Sequence, residues 1–201
     1  MAFLRATTPY ETPVLPGEGL FLRTPSLGDY TAWAELRAES RAFLTPWEPS
    51  WPADDLTRTA FRRRIRRYQT EIREDRAYPF FIFRQPDHAL LGGITLSNVT
   101  RGMTQSATLG YWIGERYAKQ GHMTRTVRAI VPFSFGTLHL HRIEAACLPQ
   151  NIPSMRLLER VGFGREGLAR GLVCINGRWQ DHIVFALLET DVPPRAAIRR
   201  P

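Results

Sequence analysis

Cysteine is scarce in this 201-residue chain, which holds only Cys147 and Cys174. The two lie far apart in sequence and make no metal-ligand spacing. Both are expected to be reduced and structural, as in a cytoplasmic protein. Long hydrophobic runs are missing too. No stretch reaches the roughly 18 apolar residues that a membrane-spanning helix needs. The N-terminal segment MAFLRATTPYETPVLPGEG has no long apolar core and contains prolines, so it does not read as a secretory signal. None of the five histidines falls into a metal-binding pattern such as H-E-x-x-H, and no metal site is expected. Internal repeats are also lacking.

What remains is an ordinary soluble composition, with 43% hydrophobic and 23% charged residues. The length suits one domain with a sizeable core. A formal net charge of +8 points to affinity for polyanions. Much of that charge is concentrated in local runs, so it does not by itself make the chain a nucleic-acid binder.

The most informative stretch is Leu109–Ser134, LGYWIGERYAKQGHMTRTVRAIVPFS. Upstream and into it, Ala107, Leu109, Tyr111 and Ile113 alternate with Ser106, Thr108, Gly110 and Trp112, the period of a strand. Gly114 ends that strand, and Glu115–Gln120 form a polar turn. Met123, Val127, Ile130 and Val131, with Phe135 beyond, lie on one face of a helix, which Pro132 and Gly136 punctuate. A helix start offers unpaired N–H groups and the positive end of its dipole. Gly121 has no Cβ to bar an approaching ligand, and Thr124 adds a hydroxyl. The turn therefore reads as an anion cradle suited to a pyrophosphate. A turn glycine before a purely structural helix would look the same.

A second motif follows, Asn151–Phe163, NIPSMRLLERVGF. With both motifs in this order, the chain resembles the GCN5-related N-acetyltransferase (GNAT) superfamily from about Gly19 to Glu189. It is most similar to the RimJ/RimL branch of ribosomal-protein N-terminal acetyltransferases. The family's pyrophosphate loop, Q/R-x-x-G-x-G/A, falls on Ala118, Lys119, Gln120, Gly121, His122 and Met123. Ala118 and Met123 depart from it, and Lys119 stands where many relatives have glycine. The second pattern, N-x-x-S-x-x-L-x-x-x-x-G-F, falls on Asn151, Ser154, Leu157, Gly162 and Phe163. The resemblance implies a mixed α/β, single-domain GNAT fold, its mostly antiparallel sheet flanked by helices. Residues 1–18 are then an irregular arm, 19–190 the domain, and 191–201 a basic Pro/Arg-rich tail expected to be disordered.

In chain order, Leu20–Arg23 is a short strand. A helix over Leu27–Phe43, capped by Ser26, turns Tyr30, Trp33, Leu36 and Ala38 to the core. The run Thr45–Pro52, with three prolines and two tryptophans, cannot be regular structure. Its indoles either pack on the core or wall the acceptor site, and the resemblance favours the second for Trp47, Glu48 and Trp51. A helix over Leu56–Arg76, capped by Asp54 or Asp55, carries Arg58, Arg62, Arg63, Arg64, Arg66 and Arg67. This is either a solvated basic face or a weak contact for ribosomal RNA. Strands follow at Phe80–Arg84 and Leu90–Ser97, with a bulge near Gly92–Gly93. His141–Cys147 is a strand parallel to 106–113, because a helix joins them. Asn151 caps a helix whose Met155, Leu158 and Val161 are buried and which Gly162 ends. Strands at Phe163–Gly167 and His182–Leu188 flank an Asn176–Gly177 turn.

By resemblance, the ligand is acetyl-CoA. The backbone of Lys119, Gln120, Gly121, His122, Met123 and Thr124 would hold its pyrophosphate. Strand 106–113 would splay from 141–147 at a bulge, and the main chain of Tyr111, Trp112 and Ile113 would pair with the pantetheine arm. An N–H there would polarise the thioester. Asn151 would bind the same arm, or serve only as a helix cap. Ser154 would protonate the leaving thiolate, or only begin a helix. For a base, Glu48, Glu115, Glu166 and Asp181 are open, Asp181 slightly favoured by the branch pattern. The expected reaction is transfer of acetyl to an amine. The acceptor is the N-terminal α-amine, Ala or Ser, of a ribosomal protein. A small amine (amino acid, polyamine or aminoglycoside) is the alternative acceptor, and a non-catalytic CoA- or ribosome-binding module the alternative class. The protein is expected to be a monomer or homodimer.

Overall fold

A computed structural model describes residues 13–192. Its centre is one eight-stranded sheet. The strands are β1 (Leu15–Gly17), β2 (Leu20–Arg23), β3 (Tyr78–Arg84), β4 (Leu90–Thr100), β5 (Ser106–Ile113), β6 (Arg142–Cys147), β7 (Gly164–Ile175) and β8 (Arg178–Leu188). Their spatial order is β1-β2-β3-β4-β5-β6-β8-β7. Only β5 and β6 run parallel, joined by the crossover helix α4 (His122–Pro132). The mixed α/β expectation holds.

Both faces of the sheet are covered. In β3, Phe80 and Ile82 point into one layer while Phe81 and Phe83 point into the other. The first layer holds α4 and α5 (Ile152–Val161), whose Met123, Val127, Ile130 and Leu158 pack on Leu109, Ile143, Ile183 and Phe185. The second holds α1 (Tyr30–Glu39), the single turn α2 (Arg41–Leu44), and α3 (Arg58–Arg73), through Trp33, Leu36, Phe61 and Ile65.

The feature that makes a site is a split in the sheet. β5 pairs with β6 only at Ser106–Thr108, opposite Arg142–Glu144. Beyond that, Leu109–Ile113 stay with β4, and Ala145–Cys147 stay with β8. The two parallel strands therefore part, leaving their facing backbone edges unpaired at the C-terminal ends. The expected splay is present, but the register shift beside it lies in β4, between Ser97 and Thr100, and not in β5.

Several boundaries are corrected. The arm expected over 1–18 contains β1, an edge strand paired with β2 across a turn at Gly19, whose φ is +68°. Residues 1–12 and most of the basic tail lie outside the described residues. The helix expected over Leu27–Phe43 breaks at Ser40, whose hydroxyl leaves the helix to accept the Glu115 N–H at 2.9 Å. Thr57, not Asp54 or Asp55, caps α3, because both aspartates bond to arginines instead. The bulge near Gly92 falls one residue earlier, with Leu91 as the extra residue. Cys147 is buried, but Cys174 is exposed on β7, so a core role for the latter does not hold. Gly162 ends α5 as expected, with φ +107°.

Candidate active site

The start of α4 is uncapped. Gly121 is its N-cap at φ +78°, and no side chain bonds to the first-turn N–H groups. A Cβ on Gly121 would meet no protein atom, so glycine is needed here for the left-handed backbone, and the space before it is open. Lys119, the chain's single lysine, also has positive φ, +60°. The turn is pinned by Gln120, whose amide donates to the Arg116 carbonyl at 2.8 Å. A cation near a helix N-terminus opposes the dipole, yet Arg125 lies one turn in and donates to His122 Nδ1 at 2.9 Å. Burial, then Arg125 and Arg84, push His122 below the usual imidazole range. A neutral ring that accepts at Nδ1 carries its proton on Nε2. His122, Met123 and Thr124 are buried in this turn. The arrangement is a positive, donor-rich pocket wall suited to an anion.

The split between β5 and β6 lies beside this turn and is bridged at one point. The Tyr111 hydroxyl on β5 and the Ser154 hydroxyl on α5 are 2.6 Å apart. Ser154 also lies against the Cys147 thiol at the end of β6. Burial pushes both the Tyr111 phenol and the Cys147 thiol upward, so both stay protonated at neutral pH. Asn151 uses Oδ1 to accept the Ser154 N–H at 3.2 Å. Both readings of Asn151 survive, since capping leaves its amide nitrogen uncommitted. The sequence pointed to the main chain of Tyr111 but gave no sign of its phenol beside Ser154.

The opposite face of the split carries the Thr45–Pro52 loop. Thr45–Trp47 forms a 3-10 turn rather than wholly irregular chain. Glu48 is gripped by Arg37 through two hydrogen bonds of 2.9 and 2.8 Å. Trp51 Nε1 donates to the same carboxylate at 2.8 Å. The Arg37 guanidinium lies 3.9 Å from the Trp51 ring centre and 5.0 Å from that of Trp112 on β5. Arg37 is thus a buried joint linking α1, the loop and β5. It was not singled out in the sequence, although it lies one turn after Trp33 on the buried face of α1. The β7–β8 turn closes on the same loop through Asn176, which contacts Ser50 Oγ at 3.1 Å. Between them is a cavity of about 390 Å³ lined by Pro46, Leu148, Ile175, Arg178 and Gln180.

The candidate bases fare differently. Glu48 is held as above. Glu166 is paired with Arg142 on the surface, which lowers its pKa. Asp181 is exposed and accepts the Gly171 N–H at 2.8 Å, stabilising a bulge in β7. Glu115 is exposed at the start of a 3-10 turn. A group not singled out in the sequence is His182, 5% exposed, on the face of β8 opposite Ile183. Its Nδ1 lies 3.0 Å from the Gln180 carbonyl, which can only accept. Nδ1 is therefore the donor in this contact, which leaves Nε2 as the ring nitrogen that can accept. Among the described residues, no group of three or more His, Cys, Asp or Glu side chains could hold a metal.

Known proteins share this architecture. Residues 19–164 match the acetyltransferase (GNAT) domain. The chain is 38% identical over 178 residues to the probable N-acetyltransferase YjcK of Bacillus subtilis, covering 89% of this chain and 98% of that one. It is 34% identical to the ribosomal protein uS5-alanine N-acetyltransferase of Escherichia coli, over 83% of this chain and 87% of that one. Among solved structures it superimposes on Mycobacterium smegmatis RimJ in complex with CoA-disulfide with a TM-score of 0.84. That pair is 31% identical, covering 91% of this chain and 89% of the other. RimL in complex with coenzyme A, at 21% identity and TM-score 0.79, shares the fold over 88% of this chain and 98% of that one. The protein belongs to the GNAT acetyltransferase family and is an N-acetyltransferase.

Proposed function

We propose that the protein transfers acetyl from acetyl-CoA to the N-terminal α-amine of a protein, most closely a ribosomal protein beginning with alanine or serine. The observation that carries this is the Tyr111–Ser154 hydroxyl pair set across the open split of β5 and β6. The split offers a bare strand edge for a pantetheine arm, and the uncapped start of α4 offers N–H groups for a pyrophosphate. The Glu48–Trp51 loop and the β7–β8 turn form the acceptor wall on the other face. The ribosomal uS5-alanine enzyme of E. coli, similar over most of both chains, supports the choice of acceptor. With such an acceptor the reaction would take place in the cytoplasm.

In the reaction, the amine nitrogen attacks the thioester carbon and the C–S bond breaks. The amine loses one proton and the thiolate gains one. Ser154, hydrogen-bonded to Tyr111, donates to the departing sulfur. The high pKa of the phenol makes the pair a positioned donor, with the proton relayed through the two hydroxyls rather than released. A main-chain N–H on the open edge of β5, at Tyr111 or Ile113, polarises the carbonyl. No strong base is required, since an α-amine with a pKa near 7.7–8.0 is already partly neutral at pH 7. His182 Nε2, on the acceptor face, is suited to receive the remaining proton through water.

The test is thiol release from acetyl-CoA with peptides beginning in Ala, Ser or Met, with the same peptides N-terminally blocked, and with small amines. Turnover with the unblocked Ala peptide, lost on blocking, is the expected result. Turnover confined to a small amine would remove the protein acceptor. No turnover, and no thermal shift with acetyl-CoA, would remove the cofactor site.

A further inference from the structure

The arginines of α3 divide into two sets. Arg63 pairs with Asp54 at 2.6 Å, Arg64 with Asp55 at 2.6 Å, and Arg67 with Glu71 at 3.6 Å. Just past the helix, Arg76 takes Glu74 at 2.5 Å. The nearby carboxylates are thus used up. Among the described residues, none pairs with Arg58, Arg62, Arg66 or Arg73, and all four are exposed. Arg58 only overlies the Tyr30 ring, and Arg73 only donates to the Thr70 hydroxyl.

These unpaired arginines share one flank. At about 100° per residue, positions 58, 62, 66 and 73 fall within an arc of roughly 80°, with Gln69 among them. Successive charges of the first three are about 6 Å apart along the axis, and the set spans about 22 Å. Like charges at i and i+4, as in Arg58/Arg62 and Arg62/Arg66, destabilise a helix by roughly 0.2–0.5 kcal/mol per pair. Nothing within the fold offsets this.

We infer that this flank of α3 binds the phosphate backbone of structured RNA. Arginine forks match phosphate oxygens in pairs, and a straight row of them tracks a regular polyanion. Membrane insertion is excluded by burial, because the apolar side of α3, Phe61 and Ile65, is 1% and 2% exposed beneath the sheet. A protein partner is disfavoured because the flank presents no apolar anchor among its arginines. The inference deepens the ribosomal-acceptor reading and rests on it for choosing RNA. The flank would seat the enzyme on RNA beside the protein terminus it acetylates.

The test is binding of the full chain to a fluorescent RNA hairpin by anisotropy, over a KCl series. Two triple variants are compared, each losing three charges: Arg62→Gln/Arg66→Gln/Arg73→Gln, and Arg63→Gln/Arg67→Gln/Arg76→Gln. Glutamine has similar helix propensity and the positions are exposed, so thermal melts should change little. The wild-type protein should bind RNA with a steep salt dependence. The first variant should lose about 2 to 3 from the slope of log K against log salt, and affinity at least tenfold. The second should lose much less, and both should acetylate a free peptide like wild type. Equal losses in the two variants would mean diffuse charge and overturn the site. No binding by the wild type at low salt, or displacement by polyglutamate as effective as by RNA, would overturn it too. Binding is read without turnover, so loss of acetyl transfer to peptides would sink the catalytic reading while leaving this result standing.

Discussion

At the scale of single residues, the proposed proton donor is a pair of hydroxyls that are 43 positions apart in sequence and 2.6 Å apart in space. If Ser154 and Tyr111 act as one proton-donating unit, removing either costs about as much as removing both. Ser154→Ala and Tyr111→Phe should each lower kcat about 100-fold, the scale of positioned acid catalysis, with little change in the KM for acetyl-CoA. The double variant should be no worse than the poorer single one. Strictly additive losses in a double-mutant cycle would show that the hydroxyls act separately. His122 makes a different prediction. Burial and two arginines hold its pKa below 6.5 in the fold. Between that lowered value and the unfolded one, the unfolded chain binds the extra proton, so stability rises with pH across the window. It is complete above about 6.5 and is lost as pH falls through the folded value. Urea unfolding of wild type and His122→Gln from pH 5 to 8 should show the difference between them changing only below about 6.5. A constant difference would mean that the ring is not shifted.

At the scale of elements, what was legible was local. Alternation marked β5, the 3.6 period marked α4, and Asn151 with Gly162 bracketed α5, because each signal lies in neighbouring residues. What was not legible depends on partners distant in the chain. Ser40 breaks a helix to serve Glu115, and Asp54 and Asp55 forgo capping for arginines nine residues on. Arg37 lies on the apolar face of α1, one turn after Trp33, but the groups that hold its charge there, Glu48 and the tryptophans, come from a loop and a strand. The anion cradle sits between these cases. Its glycine was legible, but its reason is the backbone angle rather than close packing. Gly121→Ala would place an L-residue at φ +78°. It should cost about 1–2 kcal/mol of stability and weaken CoA binding, because the first turn would shift to relieve the strain. Gly121→Asn, which tolerates this region, should lose less on both counts. Thermal melts with and without CoA check this, and equal behaviour of the two variants would count against backbone strain as the cause.

At the scale of the molecule, the fold is one sheet opened in the middle, with the parts proposed to bind the acetyl donor on one side and those proposed to wall the acceptor on the other. α4 and α5 carry the proposed cradle and Ser154, while α1, the Thr45–Pro52 loop and the β7–β8 turn carry the proposed acceptor wall. Trp112 on β5 is where the two sides meet, and Arg37 is the side chain that ties the loop to it. Gly93 has room only for hydrogen beneath that indole, since a Cβ there would fall 2.5 Å from Trp112 Nε1. The acceptor wall should therefore be separable from the donor site by a change at Arg37. Arg37→Leu keeps the burial but removes both bonds to Glu48, leaving that carboxylate with Trp51 alone. The expected cost is about 2 kcal/mol, the scale of a lost hydrogen bond to a charged group. The KM for the acceptor peptide should rise at least tenfold, while the thermal shift given by CoA stays as in wild type. Arg37→Lys should recover only part, because an ammonium cannot make the two parallel bonds that the guanidinium makes. An unchanged acceptor KM would detach Glu48 from the acceptor wall, whereas a lost CoA shift would mean that the two sides of the split fold as one unit through Trp112.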